Sequence, residues 1–230
     1  GFRRSFVVYY GSDNVDEVSR FDLAILSPML SRAVVEELNR RGVVTVGYVS
    51  LTTLGGWEPW SANVSEDMVV GRYAEWNEDI VNVSDPRWQL IVLNEAIPYV
   101  LGKGFRGVFL DNLDMVDLYP WMNESIVMLV KMIRYKYPDL VIVVNRGFTV
   151  IDSIAPYIDA VLFEDFATYY DFTSGRYLKW TGSDYEWMTS IASHLRELRE
   201  EYGLLVLALG YADLENATML YEYSVYVNSL

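Results

Sequence analysis

The 230-residue chain contains no cysteine, which excludes disulfides, thiolate nucleophiles and zinc–cysteine sites. It has a single histidine, His194, which argues against a multi-histidine metal centre and against Ser-His-Asp chemistry. Cations are scarce: 18 Lys and Arg stand against 32 Asp and Glu, a formal net charge of −14. A phosphate backbone or an anionic membrane surface needs clustered cations, so nucleic acid and membrane are disfavoured as partners. No apolar run reaches the roughly 18 residues of a membrane span. Gly1-Phe2-Arg3-Arg4 leads into a strand-like run, without a signal-peptide pattern. Neither Gly55-Gly56 nor Gly102-Lys103-Gly104 matches a phosphate-binding fingerprint.

What the chain has in abundance is short apolar runs. They are Phe6–Tyr10, Leu23–Leu26, Val43–Leu51, Val108–Leu110, Leu140–Val144, Ala160–Phe163 and Leu204–Leu209. Being rich in Val, Ile and Leu and nearly continuous, they read as strands buried on both faces. Helical stretches separate them. Ser31–Arg41 stops at Gly42, and Arg87–Leu101 follows an Asp85-Pro86 start and carries a kinking Pro98. Glu124–Tyr137 stops before Pro138, Asp184–Tyr202 opens on a Ser183/Glu186 capping box, and Glu215–Asn228 ends the chain. Ile80–Ser84 is a possible extra strand in the long connection after the third run.

This alternation is that of a (β/α) barrel or a doubly wound sheet in one domain over residues 1–230. A barrel usually takes about 250 residues. Seven runs are counted and no eighth follows, so the eighth strand is missing or substituted, with Tyr223–Val227 as one candidate substitute.

In parallel β/α folds the site lies at the C-terminal strand ends. Those ends carry Tyr9, Tyr10 and Asp13, then Tyr48 and Ser50, Asp111-Asn112-Leu113-Asp114, Asn145-Arg146-Gly147, Glu164-Asp165, and Tyr211 with Asp213. Asp111 and Glu164 each terminate a fully apolar run, two strands apart. Such a pair can cleave a glycosidic bond, one group protonating the leaving oxygen and the other attacking or activating water; equally, each can cap a helix or form an ion pair. Asp114 can bind a substrate hydroxyl or amine, or sit in a turn. Arg146 can position substrate or neutralise the carboxylates. Trp57 and Trp60 can stack on a sugar or pin their loop.

Gly104-Phe105-Arg106-Gly107-Val108-Phe109-Leu110-Asp111-Asn112-Leu113-Asp114 resembles the "GFDGVFLDxxD" segment of glycoside hydrolase family 114, with Arg106 where an acid is usual. Gly47-Tyr48-Val49-Ser50, Asn145-Arg146-Gly147-Phe148 and Val161-Leu162-Phe163-Glu164 are similar to further family segments in the same order, as is Val83-Ser84-Asp85-Pro86-Arg87-Trp88 ahead of strand four. The resemblance implies a (β/α)8 TIM barrel and a retaining endo-glycosidase acting on α-1,4-linked, galactosamine-containing polysaccharide. Asp111 would be the strand-four nucleophile and Glu164 the strand-six acid/base. Tyr9, Tyr48, Asp114, Asn145, Arg146, Tyr169 and Tyr211 would contact substrate, with no cofactor and no metal. The acidic rim suits a cationic amino-sugar polymer. Four Asn-x-Ser/Thr sequons, at Asn63, Asn82, Asn123 and Asn216, fit an extracellular or cell-surface protein. Two other readings stay open: a non-catalytic carbohydrate-binding barrel, and a metal-assisted enzyme with Asp111, Asp114, Glu164 and Asp165 around Mg²⁺ or Ca²⁺.

Overall fold

A computed structural model describes residues 5–164, 168–171, 176–179, 181–209 and 223–224, with side chains over 5–163 and 181–208. All seven apolar runs form strands: β1 (Ser5–Tyr9), β2 (Leu23–Leu26), β3 (Val44–Ser50), β4 (Gly107–Asp111), β5 (Val141–Asn145), β6 (Ala160–Glu164) and β7 (Leu205–Leu209). They are parallel, and each pairs with its successor in the chain. Sequential parallel pairing with intervening helices is barrel topology, and it excludes the order reversal of a doubly wound sheet.

Among the described residues the eighth position holds only Tyr223–Ser224. This pair runs antiparallel to β1, with Ser5 opposite Ser224 and Phe6 opposite Tyr223, and lies alongside β7. The helix expected over Glu215–Asn228 is therefore wrong at these two residues. The edges of β1 and β7 carry backbone N–H and C=O groups that need partners, and that demand outweighs a weak helical pattern.

Alternation along the strands divides the apolar side chains into two sets. Phe6, Ile25, Val46, Phe109, Val143, Ala160, Leu162 and Leu207 meet inside the barrel. Val7, Ala24, Leu26, Val49, Val108, Leu110, Ile142, Val144, Val161 and Val206 face outward against the helices. Both faces are buried, which is why the runs lack polar alternation. Gly107, at the start of β4, has no room for a side chain: a Cβ there would meet the Val141 carbonyl oxygen at 2.4 Å.

The helices follow their local signals closely. In α1 (Arg32–Arg40), Ser31 accepts a bond from the Val34 N–H, and Gly42 beyond its end has φ 88°. Asp85 caps α2 (Pro86–Ile91) by accepting from the Arg87 N–H at 2.9 Å. A π-helical turn, Val92–Ala96, then leads into α3 (Ile97–Gly102). Pro98 cannot donate a backbone bond, and the widened turn is where the helix absorbs that loss. α4 (Asn123–Lys136) appears as expected. α5 (Gly182–Tyr202) begins before Ser183, with Thr181 at its N-cap and no side-chain cap bond, so the expected capping box does not form.

Two insertions follow strand ends. After β3 a small antiparallel sheet places Glu78–Val81 between Thr53–Leu54 and Val69–Tyr73. The extra strand expected at Ile80–Ser84 thus lies in this sheet, not in the barrel. It stops at Val81 because the Asn82 side chain accepts from the Ser84 N–H and starts a turn. After β6 a hairpin pairs Thr168–Asp171 with Arg176–Lys179.

Candidate active site

The C-terminal ends of the barrel strands surround a cavity of about 700 Å³, within the range of small-molecule pockets. Asp111 stands at its floor, where β4 ends. Its Oδ2 accepts from the Tyr48 hydroxyl at 2.6 Å, and its Oδ1 accepts from Asn145 Nδ2 at 2.9 Å and from the Asn112 N–H at 2.8 Å. Ser50 is level with Asp111 across β3 and β4, and Leu110 is level with Val144 across β4 and β5. Tyr48 and Asn145 therefore flank Asp111 from the two adjacent strands. Donors from both sides stabilise the ionised carboxylate and fix its orientation. Burial, and then the charge of Asp111, push the Tyr48 phenol far above its ordinary range, so it remains a donor at any working pH.

The turn after Asp111 is held by a polar network. Asn112 adopts φ 65°, a conformation asparagine tolerates better than most residues. Its Nδ2 donates to Ser50 Oγ at 2.8 Å and Thr53 Oγ1 at 3.1 Å, and its carbonyl accepts from the Thr52 hydroxyl at 2.9 Å. Ser50, Thr52 and Thr53 are all buried, which makes this network costly to disturb.

Asp114 and Arg146 occupy the next layer. Arg146 and Gly147 both have positive φ, 52° and 69°. This bend turns the Gly147 N–H onto Asp114 Oδ1 at 3.0 Å. Arg146 Nε lies 3.7 Å from Asp114 Oδ2, and its guanidinium covers the rings of Phe148 and Trp187 at 5.4 and 5.7 Å. Arg146 thus partly neutralises a carboxylate while lining the cavity. Burial raises the Asp114 carboxyl above the ordinary aspartate range, and Arg146 opposes that rise.

The sequence-predicted residues divide as follows. Tyr48, Asp111, Asp114, Asn145 and Arg146 all line the cavity. Tyr9 does not: it is buried in the outer core with its hydroxyl on Asp13, and Tyr10 lines the cavity in its place. The cause is strand parity, since Phe6 and Val8 point inward and Val7 and Tyr9 outward. Trp57 is half-exposed on the cavity wall, whereas Trp60 is buried against Tyr99, so only the former presents a ring to a ligand. The backbones of Glu164 and Tyr169 lie in β6 and in the hairpin after it, and their side chains lie outside the described residues, as do Asp165, Tyr211 and Asp213. Among the described residues no three His, Cys, Asp or Glu side chains gather to hold a metal ion.

Sequence reasoning missed Glu78, Tyr73 and Trp76, which the insertion after β3 brings to the cavity. Nothing in the local pattern singles them out. The usable signal was the length of the connection between the third and fourth runs.

The model of glycoside-hydrolase family GH114 matches residues 4–226. The chain belongs to that family. It is therefore a member of a glycoside-hydrolase family with the barrel, acidic cavity and ordered motifs described above. No curated protein sequence matches it significantly. Among solved structures it is similar to the glycoside hydrolase domain of PelA from Pseudomonas aeruginosa, at a TM-score of 0.78 and 23% identity over 93% of this chain and 86% of that one. It is also similar to Aspergillus fumigatus Ega3 in complex with galactosamine, at a TM-score of 0.72 and 15% identity over 93% and 81% of the two chains. The alpha-galactosidase TtGalA from Thermus thermophilus is more distant, with a TM-score of 0.58, 11% identity, and coverage of 92% of this chain and 52% of that one. These three share the barrel fold with this chain. Among the described residues no helix is long and apolar enough to cross a membrane.

Proposed function

We propose that the chain is a retaining endo-glycosidase that cleaves α-1,4-linked, galactosamine-containing polysaccharide, with Asp111 as nucleophile and Glu164 as acid/base. The observation that carries this reading is the state of Asp111: a strand-end carboxylate at the cavity floor, oriented by Tyr48, Asn145 and the Asn112 N–H. In the first step the Asp111 carboxylate attacks the anomeric carbon while Glu164 gives its proton to the leaving oxygen. In the second, Glu164 takes a proton from water, which displaces Asp111 and restores both groups. The backbone register supports the pairing. Leu110 is level with Val144, just before Asp111 and Asn145; Asn145 is level with Leu162, and Glu164 follows Leu162 by one pleat toward the mouth. Leu162 belongs to the barrel interior.

Charge supports the substrate class. The described cavity wall presents Glu78, Asp111 and Asp114 against one cation, Arg146, a field that attracts an amino-sugar polymer. The galactosamine bound to Ega3 points the same way. Such a substrate places the enzyme outside the cell or at its surface.

Asp111→Asn tests the assignment. The variant should fold and bind polymer normally while turnover falls by about 10³-fold or more, as for loss of a covalent nucleophile. Wild-type turnover in D111N overturns it. Anomeric configuration of the first product, followed by NMR, checks retention.

A further inference from the structure

Glu78 is a carboxylate of the cavity that no barrel strand supplies. It opens the central strand of the small sheet after β3. That sheet is firmly docked: the Val81 N–H donates to the Thr52 carbonyl at 2.8 Å and the Asn82 N–H to the Met68 carbonyl at 2.8 Å, with Leu54, Met68, Ile80 and Val81 buried beneath. Thr53 is level with Ile80 in that sheet, and its hydroxyl belongs to the network that holds Asn112. The backbone that carries Glu78 is therefore fixed to the end of β3, beside the turn that follows Asp111.

Its surroundings are aromatic. Tyr73, Trp76 and Trp57 line the same wall, with Trp57 47% and Trp76 68% exposed. Exposed indole faces of this kind fit the apolar face of a pyranose ring. No Lys or Arg pairs with Glu78 among the described residues, and the one cation of the described wall, Arg146, stands against Asp114. A half-buried carboxylate in an aromatic wall, with no cation paired to it among the described residues, is a site for a ligand that brings its own positive charge.

We propose that Glu78 receives the ammonium group of an amino sugar lying against Trp57, Trp76 and Tyr73, so that this wall selects deacetylated units over N-acetylated ones. The inference rests on the glycosidase reading for its polymer and names how that site chooses its sugar. An N-acetyl group replaces the ammonium with a neutral amide, which leaves the carboxylate unpaired as well as crowding it.

The test compares wild type with Glu78→Gln and Glu78→Asp. Binding of galactosamine and of N-acetylgalactosamine is titrated calorimetrically, and KM is measured on deacetylated and on acetylated galactosaminan. Wild type should prefer galactosamine. In E78Q that preference should collapse by about tenfold to a hundredfold, with the effect on deacetylated polymer appearing in KM and the melting temperature unchanged. E78D should keep part of the preference, because it retains the charge. An unchanged preference in E78Q overturns the inference, as does an equal loss on both ligands, which would mark Glu78 as merely structural. The glycosidase reading fails separately: a wild type that turns over neither polymer, yet binds galactosamine in a Glu78-dependent way, sinks that reading and leaves the inference standing.

Discussion

Removing the Tyr48 hydroxyl tests whether the cavity floor is built around Asp111. Tyr48→Phe deletes a 2.6 Å bond to Oδ2 and leaves the Asn145 and Asn112 N–H bonds to Oδ1 in place. The ring keeps its packing against Phe109 and its edge contact with Tyr10 at 5.6 Å, so the fold should be untouched. A hydrogen bond to an ionised group contributes about 1.5–3 kcal/mol. At about 1.36 kcal/mol per tenfold, full loss of that contribution at the transition state lowers kcat by about 13-fold to about 160-fold. Because Tyr48 titrates far above its ordinary range, the wild-type donor is present throughout the assay, and the ratio of the two enzymes should not depend on pH through the phenol. Steady-state kinetics on the polymer separate two roles. If Tyr48 only orients Asp111, kcat and kcat/KM fall together. If its hydroxyl also touches substrate, KM rises. A Y48F enzyme within about twofold of wild type in both constants refutes the reasoning, since Asp111 would then be held well enough without Tyr48.

Two further perturbations address the scaffold. Gly107→Ala forces a Cβ to within 2.4 Å of the Val141 carbonyl oxygen. Overpacking of this kind costs about 1–3 kcal/mol, and at about 2–4 °C per kcal/mol for a chain of this size the melting temperature should fall by several degrees; no change would show that β4 and β5 can part freely. His194 on α5 is raised above its ordinary pKa, first by its hydrogen bond to Asp152. The folded state then binds the proton more tightly than the unfolded chain. That contribution to stability is complete below the unfolded value of about 6.5 and is lost as pH rises through the higher folded value. Asp152→Asn should therefore lower the melting temperature in mildly acidic buffer, with the gap closing in alkaline buffer. A gap that is constant across pH contradicts the linkage.

The sequence by itself determined the seven strands, most of the helices between them, and Asp111 as a strand-end carboxylate. These depend on local patterns: continuous Val, Ile and Leu runs for strands buried on both faces, Ser31 and Asp85 as caps, and Pro98 as the site of a helical irregularity. Other features depended on contacts between distant segments. Tyr9 and Tyr10 are adjacent, and only the pleat of β1 against its neighbours decides which one enters the cavity. Trp57 and Trp60 share one loop, yet one is a cavity wall and the other is core. Glu78 was one of 32 acids, 33 residues before Asp111, and became a cavity residue only because Thr53–Leu54 at the end of β3 pairs with Glu78–Val81 and folds the insertion over the barrel mouth. Local propensity acts over a few residues and can be read along the chain. Which side chains share a cavity is set by strand register and by the docking of insertions, and those are decided only when the barrel assembles.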